Sequence, residues 1–477
     1  MVLGKRPFGF SRLTSIAAVA LVAITVRLVP LARPGTAWML QHDSPSYIML
    51  AKGLTKGCGV APWKDGTCGT LEMGRTPGYP LFLAVIPSLR FVVVVQAILE
   101  AVTVFVVGVA AAAVAGTFSG IVAASIFAFD VVSISNCATI MTEPLFTAIV
   151  ALAFGLQIVA VFRFADTKTR LIVSFVAAGL IGVSALVRPI GVVLIVTAPL
   201  LLLPLQHSKL RSIWIAIVLT MIAAAPTLAW SLRNFEDRGV FSLSLTPLYN
   251  LYFYRAASLL AHEKGIQEDQ QRALLLRELP KICSPVFTDS PPACFEVLKR
   301  RAFQIIRKHP AELAAIMVRG TAVLMFGPGL EATREMLGEG ATEAAKPRPA
   351  GKAVFALVIF EFMLLAVTWT GMVFTIVKFG LPWRWSHYPL LLPFAAALLL
   401  ILATAGPEAY SRYRIPVMPL LAIISGIGWG QIFRPHLSVS ECQADLALKR
   451  EILHEIRCMG VTVLWSDGKT QLEEKQI

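Results

Sequence analysis

The sequence predicts an all-α polytopic membrane protein, a bundle of about ten transmembrane helices whose outer loops form a polar cavity. Two observations carry that expectation. The 477 residues are 56% hydrophobic and only 15% charged, with a mean hydropathy of +0.70, whereas a soluble domain carries about 25% charged residues. The apolar residues are also gathered into runs of about 20, the length a helix needs to cross the hydrocarbon core. Net charge is +14, but it is scattered over many loops. It therefore reads as topology and headgroup contact, with no case for nucleic acid.

Residues 1–12 carry Lys5, Arg6 and Arg12 and precede an apolar run at 13–31. That run is long enough to act as a retained anchor with its basic end in the cytoplasm, and Arg27, late in it, is placed to snorkel outward. Further runs lie at 89–111, 118–135, 142–163, 170–187, 190–205, 211–230, 353–377, 388–405 and 415–433. An even count puts both termini inside. The short inner connections then hold Arg163, Lys168, Arg170, Lys209, Arg211, Lys378, Arg384 and His387, which agrees with the positive-inside bias. The run at 311–326 is short, is interrupted by Arg319, and reads as interfacial.

Four segments follow from this: a transmembrane module at 1–230 with its first outer loop at 32–88, an outer loop domain at 231–350, further transmembrane helices at 351–433, and a polar cytoplasmic tail at 434–477 with an amphipathic stretch around Leu446 and Ile456. Within the loop domain, 293–308 reads as an amphipathic helix, suited either to a headgroup surface or to a small folded lobe. Cys58 and Cys68 share the first loop, and Cys283 and Cys294 share the large one, both on the side where an oxidising compartment would close them. Cys442 and Cys458 fall in the tail, and Cys137 stands alone.

Under this topology Asp43, Arg75, Glu143, Arg188, Arg233, Arg412 and Arg414 all come out at one face. Taken singly, Asp43 beside Ser-Pro starts a turn, each arginine snorkels, and Glu143 suits a helix N-terminus. Taken together, two acids and several arginines at membrane depth suggest a polar crevice that binds an anion. One base with a cationic clamp suits transfer of a sugar from a lipid phosphate. The phosphate leaves without needing a proton, so only the acceptor hydroxyl must be deprotonated.

At this point the residues carry a resemblance. Asp43-Ser44-x-x-Tyr47 followed by Leu50-Ala51, Arg75-x-Pro77-Gly78-Tyr79-Pro80-Leu81-Phe82, Thr142-Glu143-Pro144-Leu145-Phe146 and Arg188-Pro189 come first. Ala229-Trp230-x-x-Arg233-Asn234, His309-Pro310 and Tyr413-Arg414-Ile415-Pro416 complete the ordered set. It resembles the GT-C membrane glycosyltransferases, in the branch of protein O-mannosyltransferases and lipid A aminoarabinose transferases. The resemblance implies a GT-C-like bundle, a polyprenyl-phosphate sugar as donor, Asp43 as catalytic base and Glu143 as second acid. It further implies Arg75, Arg412 and Arg414 as donor-phosphate ligands; Arg188 is grouped with them, and His42, Tyr47, Tyr79 and Arg233 are read as acceptor or supporting residues. No cofactor is required by it. Some relatives use a divalent metal, for which Asp43, Glu143 and His42 are available as ligands. The acceptor stays open among lipid-linked, polysaccharide and protein molecules, in contact with membrane lipids, and the setting is a bacterial inner membrane. His42-Asp43 stands where protein mannosyltransferases carry an acidic pair, which weighs against a protein acceptor. A transporter or lipid flippase, and a polysaccharide polymerase or ligase, are the alternatives. Related helical halves would mark the first, and essential arginines and histidine in later outer loops would mark the second.

Overall fold

The computed structural model describes residues 10–164, 166–202, 209–284, 287, 290–337, 351–379, 388–433, 461–466 and 469–474. It divides into two compact units, Met1–Gly430 and Gln431–Ile477. Both transmembrane segments and the loop domain therefore belong to one body. Of the second unit, the described part beyond the last helix is an antiparallel hairpin, β3 (Val461–Ser466) with β4 (Lys469–Glu474). The expected amphipathic stretch near Leu446 lies outside the described residues, as do Cys442 and Cys458.

The first unit is an integral, multi-pass helical bundle. By length and composition, seven stretches among the described residues are able to cross a membrane: Leu13–Ala32, Leu89–Ala115, Glu143–Arg163, Thr167–Val187, Leu210–Arg238, Pro310–Arg334 and Lys352–Lys378. A bent pair, α5 (Thr117–Ala128) with α6 (Val131–Cys137), makes an eighth. The expectation of about ten differs in its details. The run at 190–205 becomes a 3-10 helix, Pro189–Leu202, and α17 (Tyr388–Thr404) and α18 (Met418–Ile432) are short. The run at 311–326, read as interfacial, forms α14 (Pro310–Phe326) and is most of a stretch long enough to span.

The bundle is built around α4 (Leu89–Ala115), which packs on α1 (Phe10–Leu28), α5 and α7 (Glu143–Arg163). One face of α4 is polar at helical spacing: Gln96, Glu100 and Thr103 are all buried. Such residues survive inside an apolar bundle only with partners. Arg27 supplies one. It does not snorkel outward; it is fully buried, its Nε donates to Glu100, and Nη1 and Nη2 donate to the carbonyls of Ala128 (2.8 Å) and Phe127 (3.2 Å).

Those carbonyls are freed because the helix breaks between α5 and α6 with a 56° bend. The other side of the break is satisfied in the same way. Asp130 caps α6 by accepting from Ser133 N at 2.8 Å, and Val131 N donates to Glu361 of α16 (Lys352–Phe379) at 2.9 Å. Arg414 completes this cluster, reaching Glu361 at 2.5 Å and Asp130 at 3.7 Å. A broken helix inside a bilayer is stable only when every released backbone group finds such a partner.

Residues 239–308 form a small helical lobe with its own core of Tyr252, Phe253, Leu275, Leu279, Leu298 and Ala302. Its helices are α10 (Thr246–Asn250), α11 (Ala257–Lys264), α12 (Glu268–Ile282) and α13 (Pro292–Lys308), with a π-helical turn at Leu251–Ala256. Cys283 and Cys294 are bridged across it. The apolar face of α13, including Phe295 and Leu298, is spent on this lobe and not on a lipid surface.

Replacing Arg27 by Met leaves Glu100 and two helix-end carbonyls buried without a partner, so thermal or denaturant unfolding is expected to register a loss of about 3–5 kcal/mol. The double replacement Arg27→Met with Glu100→Leu is expected to recover most of that loss. A double variant no better than the single one would show that the pair itself is not the source.

Candidate active site

The first loop is a folded unit. Its Cys58–Cys68 bridge closes around a two-residue hairpin of β1 (Trp63–Lys64) and β2 (Thr67–Cys68). The turn uses Asp65 and Gly66, both at positive φ, the backbone such hairpins require. Before it comes α2 (Ser44–Thr55), which Asp43 precedes at the N-cap position without using its side chain as a cap. That carboxylate points elsewhere: Oδ1 accepts from Arg75 Nη2 at 2.6 Å, and Oδ2 lies 3.9 Å from Arg412 Nη2. Tyr47, four residues on and so on the same helix face, accepts from Arg75 Nη1 at 3.3 Å, with the guanidinium 5.0 Å above its ring.

Backbone contacts fix this arrangement. Ser44 Oγ donates to Ile140 O (2.8 Å) and Ile140 N donates to Met39 O (2.8 Å), tying the start of α2 to the segment after α6. Glu72 Oε1 accepts from Gly74 N at 2.5 Å and from Arg75 N at 3.1 Å, which shapes the turn that presents Arg75. Then α3 (Gly78–Ala84) begins against the end of α8 (Thr167–Val187). A Cβ at Gly78 would sit 2.7 Å from Leu186 O, so glycine permits this approach. Tyr79 is fully buried, meets Tyr47 edge-on at 5.2 Å, and donates to Gln96 Oε1 at 2.8 Å. The Gln96 amide in turn donates to the carbonyls of Cys137 and Thr139. Tyr79 therefore positions its neighbours and does not face a substrate.

A second acid–arginine pair lies alongside. Glu143, buried in the first turn of α7, is 2.7 Å from Arg188 Nη1, close but not aligned as a hydrogen bond. Arg188 ends α8 just before Pro189. The two pairs are linked by Tyr413 in the 3-10 turn Ser411–Arg414: Arg188 stands 5.6 Å from its ring centroid and Arg412 5.3 Å. An aromatic face held against each guanidinium lets like charges coexist.

Burial alone would raise the Asp43 carboxyl, but Arg75 and then Arg412 outweigh it and hold the group below its usual value of 3.8. It is ionised at neutral pH. Burial would likewise lower Arg412, yet Glu143, Tyr413 and Asp43 raise it. The side chains of Asp43, Arg75 and Arg412 keep 23%, 27% and 30% of their exposure, so the cluster is reachable. It amounts to two carboxylates under three guanidinium groups, an excess of positive charge suited to an anionic ligand.

The structure thus brings together Asp43, Tyr47, Arg75, Glu143, Arg188 and Arg412. It does not bring Arg414 there. That residue is fully buried in the α16 cluster and donates to the carbonyls of Leu324 and Gly327, so it fastens α14 and cannot face a donor phosphate as expected. Arg233, on α9 (Lys209–Arg238), is also local, paired with Asp237 at 2.8 Å and stacked over Trp230 at 4.7 Å. His42 is exposed beside Asp43. Glu72 and Gln96 escaped the sequence reading; Tyr413 stood in it only as part of the Tyr-Arg-Ile-Pro piece, with no role of its own. As a metal site the arrangement fits poorly. Asp43 and Glu143 each face guanidinium groups, and no group of three or more His, Cys, Asp or Glu is gathered among the described residues.

The fold of the bundle is similar to that of solved membrane oligosaccharyltransferases. Among solved structures the chain is similar to the oligosaccharyltransferase AglB of Archaeoglobus fulgidus in complex with an inhibitory peptide and a dolichol-phosphate. The TM-score there is 0.51 at 12% identity, over 92% of this chain and 54% of that one. An Archaeoglobus fulgidus oligosaccharyltransferase tethered with an acceptor peptide gives 0.50 at 14% identity, over 93% and 54%. ArnT of Cupriavidus metallidurans bound to undecaprenyl phosphate gives 0.36 at 13%, over 87% and 77%. The chain thus spans about half the length of the oligosaccharyltransferase. No family model matches the sequence, and no curated protein does.

Gly78→Val is expected to push α3 off α8 and cost about 1–3 kcal/mol, the usual range for overpacking. A melting temperature equal to wild type would show that the close approach is not constrained.

Proposed function

We propose that the chain is an inverting glycosyltransferase that moves a sugar from a polyprenyl-phosphate donor to an acceptor hydroxyl on the extracytoplasmic face of a membrane. The observation that carries this reading is the Asp43 carboxylate, turned away from its helix and held ionised between Arg75 and Arg412. Its Oδ1 is engaged by Arg75, while Oδ2 has only the distant Arg412, so Oδ2 is the oxygen free to take the acceptor's proton. The acceptor oxygen then attacks the anomeric carbon as the bond to phosphate breaks, inverting the configuration. The phosphate leaves as an anion, stabilised by guanidinium groups already in place. Arg412 and Arg188, spaced by Tyr413, are assigned that task. Arg75 keeps Asp43 oriented, and Glu143 keeps Arg188 oriented. The membrane-spanning helices, the two bridged loop segments and the dolichol-phosphate in the AglB complex support this reading.

Asp43→Asn in membranes supplied with a polyprenyl-phosphate sugar is expected to reduce transfer by about 10²–10⁴-fold, the range for a lost general base. Transfer at the wild-type rate would refute the assignment. Because the carboxyl is held below 3.8, it loses its charge only as pH falls through that lowered value. The wild-type rate is therefore expected to stay flat on the acid side down to 3.8 wherever the fold survives. An acid limb centred near neutrality would assign the base elsewhere.

Tyr413→Phe keeps the ring between the arginines and is expected to leave donor use near wild type. Tyr413→Leu is expected to raise the donor KM about tenfold, the scale of a lost cation–π contact with its desolvated partner. Equal effects of the two substitutions would move the role from the ring to the hydroxyl.

A further inference from the structure

The lobe holds a concavity that the proposed reaction does not use. It lies between α11, α12 and α13, has a volume of about 300 Å³, and is lined by Lys264, Arg301, Lys308, Gln304, Glu278 and Tyr252, among others. Three cations face one carboxylate. Lys264 donates to Gln271 at 3.2 Å, but among the described residues Arg301 and Lys308 have no ion-pair partner. Unpaired like charges converging on a groove repel one another and lower the energy of an anion placed between them. The volume is at the lower end of ligand sites, about 300–1,000 Å³.

The position of the lobe bears on which anion. Ser244 and Thr246 hydroxyls both donate to Gly74 O at 2.6 Å, immediately before Arg75. Phe295 of α13 packs with Met73 and Leu245 in one small core. On the other flank Arg255 donates to Glu408 at 3.2 Å and to the carbonyls of Ala403 and Ala405, just ahead of Arg412. The lobe is thus fastened to the two segments that present Arg75 and Arg412. A molecule seated on it is carried by the same framework as the Asp43 cluster.

We infer that this groove binds an anionic saccharide, a sugar bearing phosphate or carboxylate, as part of the acceptor. The inference rests on the proposed transfer reaction for the word acceptor, but not for the binding itself. A concave site offering an amide and a tyrosine besides its cations matches a compact, hydroxyl-rich ligand. A lipid surface is broad and flat and would meet the exposed outer face of α13 without entering the groove. Arg301 and Lys308 supply charge-assisted hydrogen bonds to the anion, and Gln304 is placed to bond sugar hydroxyls.

The test uses the full chain in nanodiscs of neutral lipid and three probes: a glucuronate-bearing disaccharide, a phosphate-bearing disaccharide and the neutral parent. Isothermal titration is expected to show the anionic probes binding about tenfold tighter than the neutral one, the scale of a charge-assisted hydrogen bond. Arg301→Glu with Lys308→Glu, both exposed, is expected to abolish that preference with the melting temperature unchanged. Equal binding of charged and neutral probes, or a preference that survives the charge reversal, would overturn the inference. A preference that disappears in phosphatidylglycerol nanodiscs would also overturn it, and would mark a headgroup site instead. Asp43→Asn is expected to keep the preference. If that variant still transfers sugar while the preference stands, the reaction is wrong and the groove is right; if transfer is lost and no preference exists, the reverse holds.

Discussion

The interaction on which the rest depends is the capture of a broken helix by charged side chains. Between α5 and α6 the chain bends by 56°, and a bilayer offers no water to the groups so released. Arg27 takes the carbonyls of Phe127 and Ala128, while Glu361 takes the amide of Val131. Only because this break is held does α6 end where its following residues can meet the first loop. Ile140 pairs with Met39 and Ser44 there, and Cys137 and Thr139 accept from Gln96. Glu143 then begins α7 within reach of Arg188. The buried ion pairs are weak evidence for stability in themselves. Their work is to fix where the chain goes next.

The site follows from charge arithmetic at close quarters. Asp43 and Glu143 never meet; each is occupied by an arginine, and the arginines are kept apart by Tyr413 and, at Arg75, by Tyr47. The result is a cluster that is positive overall yet contains an ionised carboxylate. On the proposed reading a base and a phosphate clamp would conflict, since a nearby cation weakens a base. The two oxygens of Asp43 are held unequally, one bonded to Arg75 at 2.6 Å and the other 3.9 Å from Arg412.

Much of this was legible in the sequence, for reasons that differ by residue. Long apolar runs define spans because the bilayer sets their length, so α4, α7, α8 and α16 fall where the runs fall. The runs at 118–135 and 190–205 misled, since hydropathy is blind to whether an apolar segment is straight, bent or 3-10 wound. Asp43, Arg75, Glu143, Arg188 and Arg412 were readable as charges out of place in a greasy chain. Arg27 and Arg414 looked the same by that criterion, yet they are structural. What separates them is complete burial against an acid, Glu100 or Glu361, where Arg188 keeps part of its exposure, and burial of that kind is a tertiary fact. Glu72 and Gln96 were missed because one acts on the backbone and the other sits in mid-helix. Neither stands in a pattern that spacing reveals.

The hydroxyls of Ser244 and Thr246 reach back across 170 and 172 residues to one carbonyl, that of Gly74. That single joint has a consequence for how the cluster is assembled. Arg75 and Asp43 share one loop, but the carbonyl next to Arg75 is held by a lobe that follows about 170 residues later, and Arg412 comes later still. On the proposed reading, the cluster is complete only when the lobe has been made and docked.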